Sequence, residues 1–401
     1  MSFRLLIISS MYQGYLKSFY QKYPDVRGLS YDEHYNLLLK DSTEFVASYS
    51  RTFVKLGIEA KCVIINDINL QNMWRMENEI KAISSREILF QQINKCKPEI
   101  LWIDDLNLID RDWIEKIRKS IQSIRLILAY HCSGFNSLII NKLKGVDLII
   151  TCTPGLKSEF EKYGLRSYLV YHGFDYDLLE RIKETNVFPE NDLVFSGSLF
   201  LGVNSQNSRL KLIEDILKNN IEIALYLNLE KKYKILAKQS IYYMNSFLKM
   251  LSFKKLVKYF PYLEDADTLV KPYSETLLAK ARQPVFGIDM YKLLAKAGIS
   301  LNMHGDGAGE YAGNMRLFEA TGAGSCLLTD NKKNMSHLFE LNSEVVVYDS
   351  AQDCIQKIIW LLENKEEMKK IASSGNKRTL KSHLVIGRCE QILEIIKNEL
   401  K

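Results

Sequence analysis

Ile299-Ser-Leu-Asn-Met-His-Gly-Asp-Gly-Ala-Gly-Glu-Tyr-Ala-Gly-Asn-Met-Arg-Leu-Phe-Glu-Ala-Thr-Gly-Ala-Gly-Ser-Cys-Leu-Leu-Thr-Asp330 carries the reading of this chain. An apolar run, Ile299–Met303, passes into a glycine-rich loop. A helix begins near Asn314 and keeps helical spacing over Met315–Thr321, and a second apolar run, Ser325–Thr329, follows. A strand, a helix and a strand in about thirty residues form a unit whose two strands run parallel.

The same alternation extends in both directions. Upstream, Arg4–Ser9, Lys61–Ile65, Glu99–Asp104, Ile124–Tyr130, Val146–Thr151 and Ser167–Tyr171 are strand candidates. Segments such as Thr43–Leu56, Arg86–Cys96 and Asp112–Ile121 between them have apolar residues at three- and four-residue spacing. The pattern pauses over His172–Asn191 and then restarts with Asp192–Ser196, Glu222–Leu227, Ile299–Met303, Ser325–Thr329 and Glu344–Tyr348, separated by helical segments that include Arg209–Lys218, Asp289–Ala297 and Ala351–Asn364. The expectation is an α/β protein of two tandem doubly wound parallel-sheet domains with a cleft between them. Residues 1–175 form the first domain and 176–375 the second. A helical insertion occupies 228–283, and a C-terminal helix over 376–401 packs back on the first domain. Ligands of such sheets sit beyond the carboxyl ends of the strands, so the cleft is the expected site.

Composition agrees with two globular domains: 401 residues, 47% hydrophobic and 25% charged, are enough to bury two cores. No apolar run reaches the ~18–20 residues of a membrane span. The first residues, Met1-Ser-Phe-Arg-Leu-Leu-Ile-Ile, read as a buried strand rather than a signal peptide. Seven scattered cysteines without a close pair read as reduced apolar fillers in a cytoplasmic protein, against a disulfide scaffold or a cysteine-built metal site. The net charge of +6 is local: eight lysines and no acid lie between Lys231 and Phe260, so the remainder is −2. That argues against a nucleic-acid-coating surface. The basic, aromatic stretch 231–260 suits an anionic or lipid-bearing acceptor or the acidic inner face of a membrane; a solvated helical hairpin with aromatics buried on one face is the alternative.

Glycines feeding a helix start offer backbone N–H groups to an anion. Arg316, in the first turn, is unfavourable for the helix dipole unless an anion offsets it, and Glu319 lies on the same face, where it could accept both hydroxyls of a ribose. Read alone, the glycine-rich loop favours the plainer reading, an exposed Arg316–Glu319 helix pair flanked by flexible glycines. His304 in this loop is read as a ligand contact, with a helix-supporting structural role as the alternative. The loop lacks the dinucleotide fingerprint, which disfavours nicotinamide. Gly197 and Ser198, after the first strand of the second domain, would let a ligand approach the backbone, with Arg209 opening the next helix. At the carboxyl edge of the first sheet stand Asp104, Asp105 and His131, for proton sharing or hydroxyl binding, or else as a helix cap and a satisfied loop histidine.

Asp289-Met-Tyr-Lys-Leu-Leu, Asn302-Met-His-Gly-Asp, the run Tyr311-Ala-Gly-Asn-Met-Arg-Leu-Phe-Glu-Ala-Thr-Gly-Ala-Gly and Leu328-Thr-Asp together resemble the donor-binding core of CgeB-like group 1 glycosyltransferases. Asp147-Leu-Ile-Ile-Thr-Cys-Thr-Pro-Gly-Leu, His172-Gly-Phe-Asp, Phe195-Ser-Gly-Ser and the tail from Ile371 to Arg388 extend the likeness over nearly the whole chain, 228–283 excepted. The resemblance implies a GT-B fold and an enzyme that moves a sugar from a nucleotide-sugar donor to a glycan, glycolipid or protein in polysaccharide biosynthesis. No cofactor and no metal would be bound, and retention is the preferred outcome. It implies donor contacts from Gly197, Ser198, Arg316, Glu319 and Gly322, with Arg316 neutralising the diphosphate and Glu319 on the ribose; Arg209, His304 and Asn314 complete the candidate donor-binding set. It further implies that His131 lies near the transferred sugar; with Asp105 and Arg316 it makes the candidate catalytic set. Many retaining relatives carry a second glutamate upstream; counting back from Glu319 reaches Tyr311, with Glu310 one place too far. The competing readings are a catalytically silent binding module, a sugar-nucleotide epimerase and a phosphorylase, and no lysine is marked for the pyridoxal phosphate the last would need.

Overall fold

A computed structural model describes residues 3–81, 84–183, 188–202, 205–250 and 269–401. The first sheet contains β1 (Arg4–Ser9), β2 (Glu59–Ile64), β3 (Ile100–Ile103), β4 (Leu126–Tyr130), β5 (Leu148–Thr151) and β6 (Ser167–Leu169), in the order β2-β1-β3-β4-β5-β6. The second contains β7 (Asn191–Leu199), β8 (Ala224–Leu229), β9 (Ala281–Arg282), β10 (Ala297–Asn302), β11 (Cys326–Asp330) and β12 (Val346–Tyr348), in the order β12-β11-β10-β7-β8-β9. Each neighbouring pair is parallel. The expected pair of doubly wound α/β sheets is therefore present, and each sheet reverses its strand order once, between β1 and β3 and between β7 and β10. These reversal points open crevices at the carboxyl edges. β9 has no apolar run to announce it: two residues at the sheet edge follow directly on helix Glu275–Lys280.

Both faces of each sheet are covered, which is why the strands read as continuous apolar runs. In the first sheet Leu5, Ile7, Trp102, Leu128 and Ile150 face one cluster, and Leu6, Ile8, Leu101, Ile127 and Ile149 face the other. The first of these clusters also receives Val385, Cys389, Ile392 and Ile396 from the last helix, Val385–Glu399, so the chain's end completes the core of its beginning. The chain crosses between sheets at Phe174 and returns at Leu384. The two crossings are bonded side by side, Phe174 N–H to His383 O at 2.8 Å and Val385 N–H to Phe174 O at 3.0 Å.

Between β8 and β9, helix Lys232–Met250 exposes Tyr233, Tyr243, Phe247 and Met250. Residues 251–260 of the basic stretch lie outside the described residues. Among the described residues no helix is long and apolar enough to cross a membrane.

Candidate active site

The two carboxyl edges face each other across a cavity of about 790 Å³. Which side chains reach it follows from the two-residue period of a strand. In the first sheet the row Leu5, Ile7, Ser9 continues as Ile100, Trp102, Asp104, then Leu128, Tyr130, Cys132, then Leu148, Ile150, Cys152. Ser9, Asp104, Tyr130, Cys132 and Cys152 all line the cavity, together with His172 beyond β6. His131 belongs to the opposite row with Ile127 and Ala129. Its ring stands edge-on to Phe160 at 6.0 Å and Phe135 at 6.4 Å, outside the cavity lining, and burial lowers its pKa. Asp105 is likewise turned from the cavity; its carboxylate accepts the Asn107 N–H at 2.7 Å in a local turn. The structure therefore corrects the expectation that His131 and Asp105 face the cleft: Asp104 and Cys132 line the cavity, and those two do not.

From the second sheet, Arg209 and Arg316 converge on the crevice between β7 and β10. Arg209 donates to Met303 O from Nε at 3.1 Å and Nη2 at 2.6 Å, and to Ser198 O from Nη1 at 3.0 Å. These partners are neutral carbonyls, and they use three of the five guanidinium N–H groups. Burial, and then the like charge of Arg316, lower the pKa of Arg209, yet an arginine remains a cation. Arg316 donates to Ser196 O at 2.9 Å and pairs with Glu319 at 3.1 Å. Their side chains are only 16% and 10% exposed, which decides against the exposed helix pair. Tyr291 OH donates to Glu319 at 3.4 Å.

The two helix starts beside these arginines differ. Asp306 accepts the N–H groups of Asn207 at 3.0 Å and Ser208 at 3.3 Å, so a carboxylate of the chain already occupies the start of helix Asn207–Lys218. Helix Arg316–Ala323 has no side-chain cap, and its approach, Gly313-Asn-Met, lines the cavity. His304 Nδ1 donates to Asp330 at 2.7 Å, which fixes its tautomer. Burial pushes the Asp330 carboxyl up, but the His304 bonds outweigh it and hold the pKa below the ordinary value. Asn314 donates to Asn302 at 2.8 Å. His304 Nε2 and Asn314 Oδ1 are buried, line the cavity and have no hydrogen-bond partner among the described residues. Gly197 and Ser198 also line it. Gly322 does not: a Cβ there would fall 2.2 Å from Phe174, so this glycine exists for packing, and its expected place beside the diphosphate is corrected.

Sequence reasoning missed Glu44. It precedes helix Phe45–Lys55 and lines the cavity, where burial first, and then the Glu319 charge, push its carboxyl up to about 8 despite a bond from the Tyr12 N–H. Burial likewise raises Asp104 to about 6, opposed by the Ser9 hydroxyl that donates to it. Glu310 is exposed and paired with Lys333 at 2.8 Å, and Tyr311 packs against Gly155, so neither supplies a second acid to the cavity beside Glu319.

Residues 261–394 match a family model described as glycosyl transferase-like. No curated protein sequence matches the chain. Among solved structures, HepE of Anabaena in complex with UDP-glucose aligns over 99% of this chain and 100% of its own, at 10% identity and TM-score 0.59. Sucrose-phosphate synthase from Thermosynechococcus elongatus covers 98% of each chain at 9% identity and TM-score 0.56. A glycosyltransferase from Rickettsia africae covers 100% of this chain and 99% of its own at 11% identity and TM-score 0.54. Identities this low speak to fold, and the fold is the two-domain GT-B architecture. With the match over 261–394, the class is defined: the protein is a glycosyltransferase.

Proposed function

We propose that the protein is a CgeB-like group 1 enzyme that transfers a sugar from a nucleotide-sugar donor to a glycan, glycolipid or protein acceptor, with retention at the anomeric carbon. One observation carries this reading: Arg209 and Arg316 converge, part-buried, on the switch point of the second sheet, and among the described residues only Arg316 of the two has a carboxylate partner. Two cations held where water is scarce fit a diphosphate leaving group and stabilise the charge that develops on it. Glu319 would share its carboxylate between Arg316 and the ribose hydroxyls. His304 Nε2 and Asn314 Oδ1 would find ligand partners, as buried polar atoms require. The solved complex of HepE with UDP-glucose supports a uridine donor. The apolar and lysine-rich surface of helix Lys232–Met250 supports an anionic, lipid-bearing acceptor or membrane contact, and the seven free thiols support a cytoplasmic setting.

Inversion is a second reading with its own observation, because Asp104 and Glu44 face the cavity from the acceptor side with pKa values near neutrality, as a general base requires. Analysis of the anomeric configuration of the product by NMR separates the two.

The test of donor binding is a thermal-shift and calorimetric screen of nucleoside diphosphates and their sugars. A true donor at ~100 times its Kd stabilises by ~2.7 kcal/mol. Arg316→Lys keeps a partner for Glu319 but loses the planar fork, and should weaken donor binding by about 1.5–3 kcal/mol, tenfold or more in Kd. Failure of every nucleotide to bind the wild type would overturn the assignment of this cavity as the donor site.

A further inference from the structure

Three residues stand twenty positions apart in sequence, at 132, 152 and 172. One turn of the β-α-β repeat separates each from the next, so they reach the carboxyl edge on neighbouring strands. Cys132 and Cys152 follow β4 and β5 on the same row, and His172 follows β6. The two sulfurs and a ring nitrogen of His172 lie within 4.8 Å of one another. All three residues line the cavity, on the side formed by the first sheet.

We propose that Cys132, Cys152 and His172 bind a zinc ion, with a fourth coordination position open to the cavity. Two thiolates and an imidazole are a soft, borderline ligand set that favours zinc over magnesium or calcium. Three protein ligands with one position left for an oxygen is the pattern of zinc sites that act on a bound molecule, whereas purely structural sites are closed by a fourth protein ligand. The outer contacts are also in place. Tyr130 OH is hydrogen-bonded to His172 Nδ1 at 3.1 Å and fixes the ring, as partners around metal-bound histidines do. Arg388 Nε donates to the His172 carbonyl at 3.1 Å and holds the backbone. Binding releases the two thiol protons to solvent, so Zn²⁺, two thiolates and a neutral imidazole sum to zero charge, which a buried wall tolerates. The site is on the acceptor side, opposite the arginines, so it does not compete with them for the diphosphate.

Zinc itself is the probe. The 401-residue chain is stripped with chelator, loaded with Zn²⁺, desalted and assayed for bound metal. About one zinc per chain is expected. Cys132→Ser, Cys152→Ser and His172→Gln should each retain roughly a tenth of that or less, and Tyr130→Phe should weaken binding about tenfold or more. Cys96→Ser, away from the cavity, should match the wild type. Cobalt loading should give a thiolate-to-metal charge-transfer band that either cysteine variant loses. Should a variant not fold, the wild type alone answers: zinc must slow alkylation of Cys132 and Cys152, read by peptide mass spectrometry, but not that of Cys96. Metal retained equally by all three ligand variants, no metal retained by the wild type, or a Cys132–Cys152 disulfide that zinc does not prevent would each overturn the site. Nucleotide binding is measured separately, so such a failure leaves the donor reading intact.

Discussion

Glu44 stands at the start of helix Phe45–Lys55, yet its side chain caps nothing and instead turns into the cavity near Glu319 and Asp104. With its folded pKa raised from 4.5 to about 8, the folded chain holds a proton there that the unfolded chain releases. Its contribution to stability is full below pH ~4.5 and is lost as pH rises through ~8. Glu44→Gln mimics the protonated acid without titrating. Its advantage over the wild type in urea unfolding should therefore grow from pH ~4.5 to ~8 and then level off, at on the order of 1 kcal/mol or more. A pH-independent difference would show that the carboxyl is not held neutral. Side chains of this kind were the least legible part of the sequence. His304 could be found because it follows directly on a strand end, and Arg209, Arg316 and Glu319 because they stand in the first turn of the helix after a strand whose apolar run is unmistakable. Glu44 follows no strand, and the choice between His131 and Cys132, or Asp105 and Asp104, depends on which face of the sheet turns to the cleft. The alternation Leu126, Leu128, Tyr130 was present to be read, but which row meets the second lobe is decided by packing between segments far apart in sequence.

At the scale of the element, helix Arg316–Ala323 does two jobs within eight residues. Its start brings Arg316 and Glu319 to the cavity, and its end presses on the crossing between lobes, where a Cβ at Gly322 would fall 2.2 Å from the buried Phe174 ring. Gly322→Ala would gain up to ~1 kcal/mol in helix propensity but must displace a ring with no free volume around it, at about 1–3 kcal/mol. Overpacking wins, so the urea midpoint should fall at constant m-value, and Phe174→Leu in the same chain should recover part of the loss. If Gly322→Ala raised the midpoint, the close approach would not be real. The helix itself was readable from the spacing of Met315–Thr321, and so was the approach of Arg316 and Glu319 to the cleft. The reason for its last glycine was not, because phosphate approach and ring packing leave the same letter in the sequence.

The two-lobed plan was the most legible feature of all, since parallel strands buried on both faces leave long apolar runs and the pause at 172–191 divides two sets of them. What no local pattern records is how closely the lobes meet. They touch where a glycine of one faces a bulky or pinned group of the other: Gly14 against Phe286, Gly155 against Tyr311, and Gly313 against Thr153 and Cys152. A Cβ at Gly313 would lie 2.2 Å from Thr153 Cγ2 and 2.7 Å from Cys152 O. Thr153 cannot rotate out of the way cheaply, because its hydroxyl caps helix Pro154–Lys162 by accepting the Leu156 N–H at 3.1 Å, and the Cys152 carbonyl is backbone. The relief open to Gly313→Ala is for the lobes to part. On the proposed reading the donor groups sit almost entirely on the second lobe and should keep their affinity for nucleotide, while Asp104 and Glu44 on the first lobe would draw back from the transferred sugar. Displacement by about 1 Å can cost ~10²-fold in rate. The expected outcome is an increased radius of gyration by small-angle scattering and turnover down by about two orders of magnitude, with the Kd for the nucleotide little changed. Unaltered turnover together with an unaltered radius would mean that this contact does not set the distance across the cleft.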